Sequence, residues 1–106
     1  MTRSKPRSVE LLWFKDCPNH EDARRLLHEV IAEVAPGTPV ADIDASDPEV
    51  AARIRFPGSP TIRVDGRDVD PRFADPGDYS PRCRAYWTSS GLRGRPEREW
   101  IEAALR

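Results

Sequence analysis

Val9-Glu10-Leu11-Leu12-Trp13-Phe14, then Lys15-Asp16-Cys17-Pro18-Asn19-His20, then the long stretch from Glu21 to Val34, organise the rest of this chain. The first segment is apolar, of strand length and followed by turn residues, which predicts a buried β-strand over Val9–Phe14. In the third, Ala23, Leu26, Leu27, Val30, Ile31 and Val34 recur at helical spacing as one apolar stripe. Glu21, Asp22, Arg24, Arg25, His28, Glu29 and Glu33 fill the other face, so the segment reads as an amphipathic helix. Pro18 suits its first turn, where a missing N–H is no loss, and Pro36-Gly37 stops it. Cys17 therefore stands where a strand hands over to a helix. Unpaired backbone N–H groups and the helix dipole favour negative charge there, and such a setting turns a thiol into a nucleophilic thiolate.

Further along, Pro39–Ile43 reads as a second strand. Asp47-Pro48-Glu49 supplies a helix cap, a first-turn proline and an early carboxylate, opening a short helix that holds Val50, Ala51 and Ile54 and ends near Pro57-Gly58. Pro60–Val64 alternates as a strand, and Asp65-Gly66 predicts a hairpin that returns Arg67–Val69 antiparallel. A last helix over Pro96–Leu105 should bury Trp100, Ile101, Ala104 and Leu105. Residues 70–95, punctuated by Pro71, Pro76 and Pro81, read as a long loop carrying Cys83, Tyr86 and Trp87. Connections of that length inside a compact domain are commonly functional.

With 106 residues the chain is long enough for one domain with its own core. A charged fraction of 33% beside 38% hydrophobic residues describes a soluble globular protein. No run approaches the ~18 apolar residues of a membrane span. The basic start, Met1 to Ser8, leads into too short an apolar run for a secretory signal, so residues 1–7 are expected to form a flexible tail and the cytoplasm is the expected compartment. A formal net charge of -1 offers no bulk electrostatic case for nucleic acid. Two cysteines in a reducing compartment point to reactivity or metal binding before a permanent disulfide.

Cys17-Pro18-Asn19-His20 at a strand–helix turn and Gly58-Ser59-Pro60-Thr61 opening a later strand resemble the thioredoxin-like superfamily. The run from Ser59 to Gly66 and the late Cys83-Arg84-Ala85-Tyr86 are similar to elements of small bacterial thioredoxin-like proteins with a Cys-Pro turn. The likeness spans Val9 to Val69 plus the terminal helix. It implies a single thioredoxin-like α/β domain over 1–106, with a small mixed sheet in the order β-α-β-α-β-β-α and helices on both faces. It implies a cis Pro60 lying against the reactive cysteine, with Ser59 offering its backbone to a thiol substrate and Pro18 and Thr61 beside it. Proline fits such a place because only X-Pro bonds take the cis form cheaply. One departure matters. His20 stands where a dithiol oxidoreductase of this type has its second cysteine. A mixed disulfide at Cys17 must then be resolved by Cys83 or by a small thiol such as glutathione, which makes the expected chemistry monothiol exchange.

Each candidate has a plainer alternative. Cys17 can be a small buried hydrophobe. His20 can tune the Cys17 thiolate, although its own charge would oppose the positive helix end. Cys83, flanked by Arg82 and Arg84, can resolve a mixed disulfide or simply pack in its loop. Cys17, His20 and Cys83 together suit a soft metal ion but lack a fourth ligand. Arg82, Arg84, Arg93, Arg95 and Arg98 beside Tyr86 and Trp87 can hold an anion, stack on a base as a nucleic-acid contact, or form a solvated surface. Asp42 and Asp44 can accept a proton or merely end a strand in water.

The resulting expectation is thiol–disulfide exchange with a thiol or disulfide substrate, protein or small molecule. Cys17, Cys83 and His20 would be catalytic, Ser59, Pro60, Pro18 and Thr61 would bind substrate, and no cofactor, resident metal, nucleic acid or membrane is expected. The contrasting expectation is a non-enzymatic thioredoxin-like module that binds a soft metal ion or a protein partner. The sequence leaves the oligomeric state open.

Overall fold

The structure, a computed structural model, describes residues 7–106. Residues 1–6 of the expected tail lie outside the described residues. Arg7, its last member, is tied down: its guanidinium donates to Asp65 at 2.7 Å and to the Arg106 carbonyl at 2.7 Å.

The elements in order are β1 Val9–Trp13, α1 His20–Val34, β2 Val40–Asp44, α2 Pro48–Arg53, β3 Thr61–Val64, β4 Arg67–Asp68, β5 Tyr86–Thr88, β6 Gly91–Arg93 and α3 Arg98–Leu105. Four strands form one mixed sheet in the order β2-β1-β3-β4. β1 pairs parallel to β2 and antiparallel to β3, and β3 pairs antiparallel to β4. The protein is thus of the mixed α/β class.

Central β1 is covered on both faces, with its one charged residue, Glu10, partly buried on the Leu12 side. Side chains alternate along a strand, so Val9 and Leu11 point one way and Leu12 the other. Val9 and Leu11 join Leu26, Leu27, Val30, Ile62, Val64, Ile101 and Leu105 in the larger core, which lies under α1 and α3. Leu12 joins Ala45, Ala51 and Phe56 in the smaller core, which lies under α2. The parallel β1–β2 pair requires a crossover, and α1 supplies it. Asp65 and Gly66 both take positive φ (53° and 79°), the conformation that a tight hairpin turn between β3 and β4 demands.

Several boundaries shift for physical reasons. α1 begins at His20, with Asn19 as its cap, and not at Pro18. The Cys17 carbonyl is met by the His20 imidazole, so the first helical bond runs from the Ala23 N–H to the Asn19 carbonyl. α2 stops at Arg53 because Arg55 turns left-handed (φ 56°). The Phe56 N–H donates to the Ala51 carbonyl at 2.9 Å and the Arg55 N–H to the Ala52 carbonyl at 3.2 Å, and the Arg63 guanidinium takes the freed carbonyls of Ile54 and Arg55 at 2.8 and 2.6 Å. Its start is as read: the Asp47 carboxylate accepts the Glu49 N–H at 2.8 Å. α3 begins at Arg98, two residues later than expected, with Glu97 extended and its carboxylate accepting the Ser89 N–H at 2.7 Å.

The segment expected to lack regular structure, 70–95, contains the β5–β6 hairpin, in which Tyr86 faces Arg93, Trp87 faces Leu92 and Thr88 faces Gly91. Strands of three residues are too short to show a period, and their Ser89-Ser90 turn lacks the Asn-Gly or Asp-Gly signature. Leu12 is fully buried between β1 and α2. Leu12→Ala should therefore destabilise the protein by about 3 kcal/mol through lost burial and the residual cavity, read as a lower urea midpoint at unchanged slope.

Candidate functional site

Cys17 follows β1 by four residues and precedes α1 by three. The turn that carries it is closed by a bond from the Cys17 N–H to the Phe14 carbonyl at 3.0 Å. Its sulfur accepts the backbone N–H of Asn19, the helix cap, at 3.4 Å. The sulfur thus meets an N–H group that the helix leaves without an internal partner. Cys17 is only 4% exposed. Both cysteines are free thiols, and Cys83 is exposed.

His20 touches the backbone of Cys17 and not its sulfur. Its Nδ1 lies 2.8 Å from the Cys17 carbonyl oxygen and must carry the proton to bond there. The ring stacks on Trp13 with centroids 4.7 Å apart and an interplanar angle of 11°. The ring thus contacts the Cys17 turn through its backbone. Trp13, partly buried against the larger core, donates its indole N–H to Asp42. Asp42 is also gripped by Arg24 at 2.7 and 3.1 Å. The Arg24 guanidinium, with help from Trp13, holds the Asp42 carboxyl below the usual carboxylate range. An ionised, saturated carboxylate of this kind braces Trp13 and is unsuited to accept a proton during turnover.

The Ser59–Pro60 bond is cis. Leu12 pairs with Thr61, so Pro60 lies beside the end of β1 from which the Cys17 turn departs. The backbone of Ser59 is already occupied. Its N–H donates to the Arg82 carbonyl at 2.7 Å, and its carbonyl accepts the Arg84 N–H at 2.9 Å, forming a parallel bridge to Cys83. The substrate clamp expected at Ser59 is therefore filled by the chain's own segment 82–84. Thr61 is likewise internal: its hydroxyl donates to the Gly58 carbonyl at 2.6 Å and accepts from Arg84 at 2.9 Å. Pro60 offers its carbonyl to the Tyr86 hydroxyl. Pro18 alone of the expected substrate-binding residues is exposed.

Arg84 anchors this strap. It is 10% exposed by side chain and pairs with Asp68, 2% exposed, through two bonds of 2.6 and 3.0 Å. Its guanidinium lies 4.3 Å from the centroid of the Tyr86 ring. The backbone beneath is glycine by necessity. Gly58 has φ +131°, and a side chain there would strike the Arg84 Cβ at 2.7 Å. At the far end of the strap a side chain on Gly94 would collide with the Asn19 amide. The strap thus leans on the Ser59 loop at one end and on the cap of α1 at the other.

Asn19, Cys83, Ala85, Leu92 and Arg93 share a cavity of about 400 Å³. Asn19 is therefore the residue common to both thiols, bonding the Cys17 sulfur through its N–H and lining the cavity that holds Cys83. A larger cavity of about 730 Å³, between the β3–β4 hairpin and α3, includes neither cysteine. Among the described residues no three His, Cys, Asp or Glu side chains converge on a shared metal position, so Cys17, His20 and Cys83 are not gathered as ligands. The arginine group expected to form one patch is divided among partners: Arg82 with Asp78, Arg84 with Asp68, Arg95 with Asp22, and Arg98 with Glu33 and Glu102. Sequence reasoning missed the Arg84–Asp68 anchor and the Tyr86–Pro60 bond. The alternation of Arg84 and Tyr86 with Cys83, Ala85 and Trp87 was the available signal.

Comparison of the chain with protein-family models, with curated proteins and with solved structures found no match. Among the described residues no helix is long and apolar enough to cross a membrane.

Burial holds the Tyr86 phenol protonated well above the ordinary tyrosine range. The unfolded chain, whose tyrosines ionise near pH ~10, then binds fewer protons than the folded one as pH rises through that value. Stability should accordingly fall with increasing alkalinity. Tyr86→Phe should flatten this decline in urea titrations at successive pH values. A residual slope should remain from Tyr79, whose hydrogen bond to Asp75 also raises its pKa. Arg84→Met should cost about 3–5 kcal/mol, because it strands Asp68 as a buried charge without its partner.

Proposed function

We propose that this protein is a thioredoxin-like thiol protein that carries out thiol–disulfide exchange with Cys17 and Cys83. The observation that carries the reading is the Asn19 N–H on the Cys17 sulfur at 3.4 Å, which sets that thiol at the start of a long helix. The sheet order β2-β1-β3-β4 and the helices on both faces support the thioredoxin-like part of it.

The two thiols divide the work by exposure. An external disulfide R–S–S–R′ meets Cys83, the exposed sulfur, more readily than Cys17. The Cys83 thiolate attacks one sulfur, a Cys83–S–S–R bond forms, and R′–S⁻ leaves and takes a proton. The Cys17 thiolate then attacks the Cys83 sulfur, forming the Cys17–Cys83 disulfide and releasing R–S⁻. The substrate gains two electrons and the dithiol loses them. An external small thiol or dithiol restores the reduced pair. His20 needs no proton-transfer role here; it keeps the Cys17 turn in shape. The sequence expectation gave the first attack to Cys17, and the burial of that residue moves it to Cys83.

The reading is tested by alkylating the reduced protein across a pH series and following each cysteine by mass spectrometry. Cys17, 4% exposed, should be alkylated more slowly than the exposed Cys83 throughout the series. Cys17→Ser should trap the mixed disulfide at Cys83 and lower turnover of a small disulfide by about tenfold or more, whereas Cys83→Ser should slow the first step. Full turnover by Cys17→Ser would refute the mechanism.

A further inference from the structure

α3 carries more apolar surface than the fold covers. Ile101 and Leu105 enter the larger core. Trp100, Ala103 and Ala104, spaced i, i+3 and i+4, form a neighbouring apolar face that borders the cavity of about 730 Å³ against the β3–β4 hairpin. Ala103 is exposed, and Trp100 and Ala104 are only partly buried. The two alanines keep the space open, because neither side chain extends beyond Cβ. The facing wall is apolar as well, since the buried Val64 and Val69 line it. Small-molecule sites are mostly apolar, enclose roughly 300–1,000 Å³ and hold a few placed polar groups, a description this cavity meets.

Its polar groups are two aspartates and two arginines. Asp65 is held by Arg7 at 2.7 Å and accepts the Ser8 N–H at 3.0 Å. Asp68 is held by Arg84 at 2.6 and 3.0 Å. Asp70, which meets Arg84 at 3.8 Å, does not border the cavity. Arg67 is the one charged group on the rim that makes no ion pair among the described residues. Residues 1–6, which precede Arg7, include Arg3 and Lys5 and no carboxylate, so they offer Arg67 no counter-charge.

Sheet register aims Arg67 at this space. Arg67 faces Val64 across the β3–β4 pair, and residues paired in this way share a face of the sheet. Val64 and Val69 both belong to the core under α1 and α3, so that face is the one α3 covers. An unpaired guanidinium therefore stands over an apolar recess with an indole on its far wall.

We propose that this cavity is a binding site for a small aromatic carboxylic acid. The ring of the acid lies against Trp100 and the two alanines, and its carboxylate meets Arg67. Trp100 favours an aromatic body, because paired rings gain more than the area they bury. The site borders neither thiol and does not depend on the thiol-exchange reading.

The test titrates the full chain with 1-naphthylacetate, 1-naphthylmethanol, 1-naphthylmethylamine, acetate and octanoate, followed by amide and indole chemical shifts. Naphthylacetate should bind about threefold or more tightly than the alcohol, the gain of one exposed ion pair, and about tenfold or more tightly than the amine. Shifts should centre on residues 64–71 and 100–104, and acetate alone should leave them unmoved. Arg67→Glu should reverse the preference between acid and amine. Ala103→Leu, which fills the recess, should weaken every naphthyl compound about fivefold or more. Both positions are exposed, so the fold should survive.

Equal binding of acid and amine, shifts elsewhere, or no shifts at millimolar ligand would overturn the proposal. Tighter binding of octanoate than of naphthylacetate would assign the cavity to aliphatic acids and overturn it too. So would a dimer that Ala103→Lys dissociates, seen by sedimentation, which would give the face to a second copy of the chain. Nuclear Overhauser contacts from residues 1–6 to the Trp100 indole in the free protein would give it to the chain's own start, with the same consequence.

Discussion

β1 is buried on both faces, and the rest of the molecule is arranged to make that possible. Leu11 and Leu12 are adjacent, fully buried, and point in opposite directions. A strand with that property cannot sit at an edge or face water on either side. It needs a neighbour on each flank, which β2 and β3 provide, and a helical layer above and below. The larger layer comes from α1 and α3, the smaller from α2. Since α1 must leave β1 and cross over to the parallel β2, the turn between them is forced to the end of the sheet. Cys17 is in that turn. Its contact with the cap of α1 is a consequence of how a doubly buried strand acquires its cover.

A second constraint governs the region after the hairpin. Residues 82–86 are held down by one buried aromatic ring, Tyr86, and by one charge. Arg84 enters the body and finds Asp68, the Thr61 hydroxyl and the Tyr86 ring. A buried ion pair of this kind adds little net stability over an apolar pair of the same shape, yet it is costly to break and demands one geometry. It therefore acts chiefly as a register pin. With Arg84 fixed, the Ser59 backbone is paired, the Tyr86 hydroxyl reaches the Pro60 carbonyl, and Cys83 is left outward at the rim of a small cavity. The price of the inward arginine is an outward tryptophan.

The first half of the chain was legible because its signals are local and strong. The α1 stripe, the Asp47-Pro48 cap and the Asp65-Gly66 turn each specify backbone conformation within a few residues. The hairpin in 86–93 was illegible for the converse reason: three-residue strands have no measurable period, and their pairing is stabilised by contacts to distant residues such as the bond of Glu97 to Ser89. The site followed the same division. Cys17 at a helix start could be read from order alone. The occupation of Ser59 by the strap, and the engagement of His20 with a carbonyl and not a sulfur, depend on which groups meet across the fold.

The sequence by itself determined the α/β class, the central strand, the place of Cys17 and the tight hairpin, because hydrophobic period and turn chemistry act within a short length of chain. Tertiary structure alone decided which thiol is exposed, which arginine is buried and which backbone groups remain open. Those outcomes turn on desolvation and on hydrogen-bond partners many residues away, and neither is written in any local pattern.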